Sequence, residues 1–236
     1  MIYEPSGKAR EYSELAVNLY NGCDHGCTYC YVPAIRRCNR ETHEIVSERK
    51  NALAEIAKDI RKNDYTGKKI LFCFMTDPYC TGSTDLTRKA AEMLLETGAI
   101  ISILTKGGKR SERDFDLFEK YKNAVEYGAT LTFTDDRWKD FEPGAAPPAE
   151  RIAALERAHS LGMKTWISLE PVLDTASAMD IIKATSQFVD VYKVGVWNYD
   201  KRSKMIDWKK FGHEVKALLE SLGKKYYLKE DLLKRM

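Results

Sequence analysis

The chain has no long apolar run: the longest, Ile70 to Met75, is far short of the ~20 residues a membrane span needs. Its first residues, Met1-Ile2-Tyr3-Glu4-Pro5, lack the basic-then-apolar pattern of a secretion signal, so the expected location is the cytoplasm. No charge of one sign dominates: 38 Lys+Arg against 35 Asp+Glu leave +3, too balanced to announce a nucleic-acid binder by bulk charge. No cysteine follows Cys80, which argues against a second metal centre, and there is no fixed-period repeat, low-complexity segment or linker. What remains, 236 residues with 44% apolar and 31% charged, excludes disordered and fibrous classes and suffices for one domain with a full core.

Short β-type runs alternate with longer amphipathic ones. The runs are Leu15–Tyr20, Ile70–Met75, Ile100–Leu104, Ala129–Phe133, Thr165–Leu169 and Val191–Val196, apolar as strands buried on both faces should be. Helices are expected over Ser47–Lys62 with Ser47 as N-cap, Leu86–Glu96, Glu112–Tyr121, Ala149–Ser160, Ala176–Gln187 and Trp208–Ser221, the last closed by Gly223. Alternation implies a parallel sheet with right-handed crossovers. Six units without an open-sheet dinucleotide fingerprint fit a partial, TIM-like (β/α)6 barrel. The expected division is an N-terminal segment over 1–13, the barrel over 14–223, and a tail over 224–236 packing on the barrel.

In a parallel barrel the chemistry gathers on loops after the strands. The first such loop reads Asn21-Gly22-Cys23-Asp24-His25-Gly26-Cys27-Thr28-Tyr29-Cys30-Tyr31. Three thiolates so close can hold three irons of a 4Fe-4S cluster and leave the fourth iron open to a ligand. A zinc site completed by Cys38, His25 or His43 is the alternative, although no second cysteine pair follows.

Cys-x3-Cys-x2-Cys with Tyr29 and Tyr31 beside the last cysteine resembles the hallmark of the radical S-adenosylmethionine (radical SAM) superfamily. Met75-Thr76-Asp77, Leu104-Thr105-Lys106 and Phe141-Glu142-Pro143-Gly144 with Pro147 and Arg151-Ile152 are similar to its spore photoproduct lyase-like, DNA-photolyase-like branch, over about Leu15 to Val172. The resemblance implies a 4Fe-4S cluster on Cys23, Cys27 and Cys30 whose open iron chelates S-adenosylmethionine. One electron, from a donor such as flavodoxin or ferredoxin, then yields methionine and a 5′-deoxyadenosyl radical that takes hydrogen from a substrate. It further implies that Thr76 and Asp77 meet the methionyl amino group, Lys106 the carboxylate, Thr132 the carboxylate or ribose, and Tyr31 the adenine. Where the lyase carries its hydrogen-donating cysteine this chain has Met75, so thymine-dimer repair is not expected.

Other residues carry weaker signals. Cys80 is a candidate displaced hydrogen donor. Glu170, at the end of a strand, is a candidate for ribose or substrate contact, with a salt bridge to Arg151 as the structural alternative. Basic groups follow particular strands: Arg36, Arg37 and Arg40; Lys109 and Arg110; Lys201, Arg202 and Lys204. With Trp138, Trp197 and Tyr199 as stacking platforms they could track a phosphate backbone. The expected function is therefore radical chemistry on a nucleic acid or nucleotide, with a large substrate or a partner protein closing the open barrel. Peptide modification is the second enzymatic reading, and a non-catalytic iron–sulfur or zinc redox module the reading from another class.

Overall fold

A computed structural model describes residues 1–236. The elements are, in order, β1 (Ile2–Tyr3), β2 (Leu15–Val17), β3 (Tyr20–Asn21), α1 (Val32–Arg36), α2 (Arg40–Glu44), β4 (Ser47–Glu48), α3 (Ala52–Lys62), β5 (Lys69–Phe72), α4 (Leu86–Leu95), β6 (Ile100–Thr105), α5 (Phe115–Lys120) and β7 (Val125–Thr130). There follow α6 (Trp138–Phe141), α7 (Pro148–Ser160), β8 (Lys164–Leu169), α8 (Thr175–Thr185), β9 (Val191–Val194), α9 (Trp208–Ser221), β10 (Lys225–Leu228) and α10 (Glu230–Leu233). One eight-stranded sheet runs β1-β2-β5-β6-β7-β8-β9-β10. All neighbours are parallel except β1, which pairs antiparallel with β2. This is the partial, TIM-like barrel with outer helices that the alternation predicts.

Strand alternation separates two cores. Ile70, Phe72, Ile101, Ile103, Tyr127, Ala129, Ile167, Leu169, Tyr192 and Val194 face the helices in the main core. The opposite parity, Ala16, Leu71, Leu104, Trp166 and Val191, packs with Tyr12 inside the barrel. Trp166 lies across Gly128, where any side chain would collide with its ring. Below it, Glu126 on β7 receives Lys69 of β5 at 2.8 Å and Lys164 of β8 at 2.7 Å, lacing the floor of the barrel.

The structure departs from the expected boundaries for local physical reasons. The fourth strand lies earlier than Ala129–Phe133, because half-buried Glu126 and Gly128 hide its start from an apolar count. Ser47 does not cap a helix: Ser47–Glu48 pairs with Tyr20–Asn21, and α3 begins after Asn51, which has φ 58. The expected helix over Glu112–Tyr121 is split into a 3-10 turn (Gly108–Asp114) and α5. Residues 224–236 supply β10, a seventh parallel strand in register with β9 (Lys225↔Val191), followed by α10. No helix is long and apolar enough to cross a membrane.

Candidate active site

The cysteine loop leaves β3 at the C-terminal mouth, and nearly every residue between its cysteines is bolted down. The Asp24 carboxylate accepts from the backbone N–H groups of Thr81 (3.0 Å) and Gly82 (2.8 Å). His25 donates through Nδ1 to the Gly144 carbonyl (3.2 Å), and its Nε2 lies 3.0 Å from Asp77 Oδ2. Thr28 N–H donates to the Phe141 carbonyl (2.9 Å), and the Tyr29 hydroxyl donates to Glu142. Arg40 clamps the loop from outside, donating to the carbonyls of Cys27 (2.8 Å) and Thr28 (2.6 Å).

Cys23, Cys27 and Cys30 together line one pocket, whose other walls include His25, Pro33, Arg40 and His43. No three His, Cys, Asp or Glu side chains converge tightly enough to chelate one ion. Thiols spread around a pocket suit a polynuclear cluster, in which each thiolate takes its own iron, better than a single zinc. Burial pushes the Cys27 thiol up to about 12, and a thiol there ionises only against positive charge.

That charge is Lys106. Its ammonium stands 5.6 Å from the centre of the Tyr29 ring; burial opposes its charge, but Cys27 and Glu142 outweigh burial and hold its pKa at about 12. Thr76, Lys106 and Thr132 follow the adjacent strands β5, β6 and β7. The Thr132 hydroxyl is buried without a hydrogen-bond partner, and the Thr76 hydroxyl has only the Cys73 thiol beside it. Unpartnered buried hydroxyls are costly, and these two with the part-buried Lys106 ammonium form the donor and acceptor set a zwitterionic ligand requires. The residues present therefore fit a cluster and an amino-acid-bearing ligand.

The structure reassigns several candidates. Asp77, expected on the amino group, has both oxygens occupied: Oδ1 accepts from Tyr79 N–H (2.8 Å) and the Thr105 hydroxyl (2.7 Å), and Oδ2 from Lys106 N–H (2.8 Å). Despite its burial, His25 and these donors hold its carboxyl well below the usual range. It organises the loop after β5. Glu170 does not pair with Arg151; it accepts from Lys229 Nζ (2.6 Å) and the Tyr12 hydroxyl (2.7 Å). Arg151 instead pairs with Glu142. Cys80 is buried, and its side chain together with burial raises the Cys23 thiol.

Of the basic candidates, Arg40 is spent on the cysteine loop, Arg110 donates to the Tyr79 carbonyl (3.0 Å), and Arg202 is held by Asp200 over the Trp197 ring. Arg36, Arg37, Lys109, Lys201 and Lys204 are exposed. Trp138 and Trp197, expected as platforms, are buried, whereas Tyr199 is 83% and Tyr31 38% exposed. Sequence reasoning considered His25 only as a zinc ligand and missed Tyr12 and the Glu142–Arg151 pair, because Tyr12 meets Glu170, His25 meets Asp77 and Glu142 meets Tyr29 only after folding.

The family model of the Radical SAM superfamily matches residues 17–182. Uncharacterized protein ORF301 of Acidianus two-tailed virus is 25% identical over 199 residues, covering 79% of this chain and 65% of its own length. Uncharacterized protein Rv2578c of Mycobacterium tuberculosis is 26% identical, over 66% of this chain and 49% of its own; the chain thus spans about half to two thirds of these relatives. Among solved structures, spore photoproduct lyase with bound AdoMet and dinucleoside spore photoproduct superposes with a TM-score of 0.69 at 13% identity, covering 92% of this chain and 76% of the lyase. Streptococcus suis SuiB bound to S-adenosylmethionine gives 0.66 at 15%, over 93% and 51%. At such identity these two bear on the fold alone. The family match, in contrast, spans more than half of the chain and includes all three pocket cysteines, so the chain belongs to the Radical SAM superfamily, with a spore photoproduct lyase-like fold.

Proposed function

We propose that the protein is a radical SAM enzyme acting on a nucleic acid or nucleotide, with Cys23, Cys27 and Cys30 holding a 4Fe-4S cluster. When bound, the cluster and S-adenosylmethionine supply a one-electron cleavage that makes a 5′-deoxyadenosyl radical. The chain's own residues do the positioning. Lys106 offers a cation to the ligand's carboxylate; Thr76 and Thr132 offer hydroxyls at the ends of β5 and β7; Tyr31, half-exposed beside Cys30, offers a ring to the adenine. Asp77 and His25 act behind them, keeping the cysteine loop and the Lys106 backbone in place.

The nucleic-acid reading is carried by one observation: exposed Tyr31 and Tyr199 follow β3 and β9, in segments that also carry exposed Arg36, Arg37, Lys201 and Lys204. Tyr199 has φ 65, a conformation a bulky residue adopts only at a cost. Flat rings among cations suit a strand of stacked bases. The fold neighbour that holds a dinucleoside supports the same reading. Met75, in place of the lyase's hydrogen donor, argues against thymine-dimer repair. Fluorescence anisotropy with a labelled single-stranded oligonucleotide tests the substrate class. The double variant Lys201→Ala/Lys204→Ala is expected to bind roughly tenfold more weakly at low salt, with a salt slope smaller by about 1–2. Equal binding by both proteins, or none by the wild type, would sink this reading.

A further inference from the structure

The segment Phe141-Glu142-Pro143-Gly144 is not a surface turn. Its backbone takes the Thr28 N–H on the Phe141 carbonyl (2.9 Å), and Gly144 N–H donates to the His25 carbonyl (2.9 Å). A side chain at Gly144 would collide with the Asp24 carbonyl. The segment therefore touches both intervals of the cysteine loop, the one between Cys23 and Cys27 and the one between Cys27 and Cys30.

At its centre the fully buried Glu142 carboxylate joins two partners. One oxygen accepts from Arg151 Nη1 at 2.6 Å, and the other from the Tyr29 hydroxyl. Arg151, equally buried, is anchored in turn by the Ala146 carbonyl (2.7 Å) and by the carbonyl of Thr130 (3.0 Å), the last residue of β7. A buried ion pair is weak evidence for stability, because desolvation cancels much of its attraction. Its position matters more: it links a barrel strand to the residue immediately before Cys30. Glu142 also stands between two cations, Arg151 and Lys106, next to the Cys27 thiol.

We propose that Glu142 is a positioning residue that fixes the cysteine loop to the barrel through Tyr29 and sets the charge around the cluster pocket. The inference rests on the cluster assignment above. Two variants separate position from charge: Tyr29→Phe cuts the link and keeps all charges, whereas Glu142→Gln keeps the shape and removes the negative charge. After anaerobic reconstitution, iron loss to a chelator, the electron paramagnetic resonance spectrum and the reduction potential are measured. Tyr29→Phe should lose iron roughly tenfold faster than the wild type, the size of effect typical for groups behind a ligand. Glu142→Gln alone should raise the reduction potential. Should Glu142→Gln not fold, the Tyr29→Phe iron loss and spectrum decide. Variants with lower melting temperature but wild-type iron retention and spectra would overturn the proposal and leave Glu142 a fold-stabilising residue. A wild type that takes up no iron would instead overturn the cluster assignment, and this inference with it.

Discussion

Lys193 shows how a single residue carries long-range structure that no local pattern announces. It points into the barrel, donating to the carbonyls of Glu11 (3.2 Å) and Tyr12 (2.8 Å) and lying over the Tyr12 and Trp166 rings. Burial, then Lys69 and Lys229, bring its pKa down to about 8, with Glu126 and Glu11 opposing. An unfolded lysine titrates near ~10.4, so between the two values the unfolded chain binds more protons and stability rises with pH. Below pH 8 both states are protonated and the cost of the buried cation is felt in full. Urea unfolding at pH 7 and 9.5 is expected to move the gap between the wild type and Lys193→Met toward the wild type by roughly 2 kcal/mol. A gap independent of pH would contradict this. At the same scale, the three cysteines were legible because their spacing is local. For Asp77 the local contact to Tyr79 N–H was legible from the Asp-Pro turn, but its donors Thr105 and Lys106 were not, since they appear only once β5 and β6 lie side by side.

At the scale of elements, the segment before β2 works as a plug. Tyr12 fills the barrel beside Trp166 and Phe74, accepts from Ser168 (2.8 Å) and donates to Glu170, while Glu11 and Glu170 both meet Lys229 from the far end of the chain. Tyr12→Ala removes a buried ring and a hydrogen-bonded hydroxyl and should cost about 3–5 kcal/mol in denaturant unfolding. A loss below about 1 kcal/mol would show that the barrel closes without the plug. Strands could be read because their helix-facing residues are apolar; β7 was misplaced because Glu126 is satisfied by lysines on two other strands. β10 was missed because Lys225, Tyr226 and Tyr227 look polar on an edge strand paired only with β9. The loops after β7 and β9 share one device: Asp135 holds Arg137 and Asp200 holds Arg202, each arginine lying over an aromatic ring. That shared pairing engages Arg202, read from sequence as a free cation, although its side chain stays exposed.

For the whole molecule, the arrangement is a rigid cysteine loop on one side of the mouth, unpartnered Thr76 and Thr132 hydroxyls and Lys106 on neighbouring strands, and exposed tyrosines with cations on the rim. Barrel and cofactor class were legible because they rest on strand alternation and one short motif; the charge arrangement was not, since it depends on which of many surface cations find partners after folding. Membership of the Radical SAM superfamily makes the central claim a chemical one. The most direct measurement is anaerobic reconstitution with iron and sulfide, reduction with dithionite, addition of S-adenosylmethionine with and without single-stranded DNA, and chromatography of the products beside a Cys27→Ala control. The account predicts 5′-deoxyadenosine from the wild type, more of it with DNA, and none from the variant; a fully loaded wild-type cluster that neither binds S-adenosylmethionine nor releases deoxyadenosine under any of these conditions would contradict it.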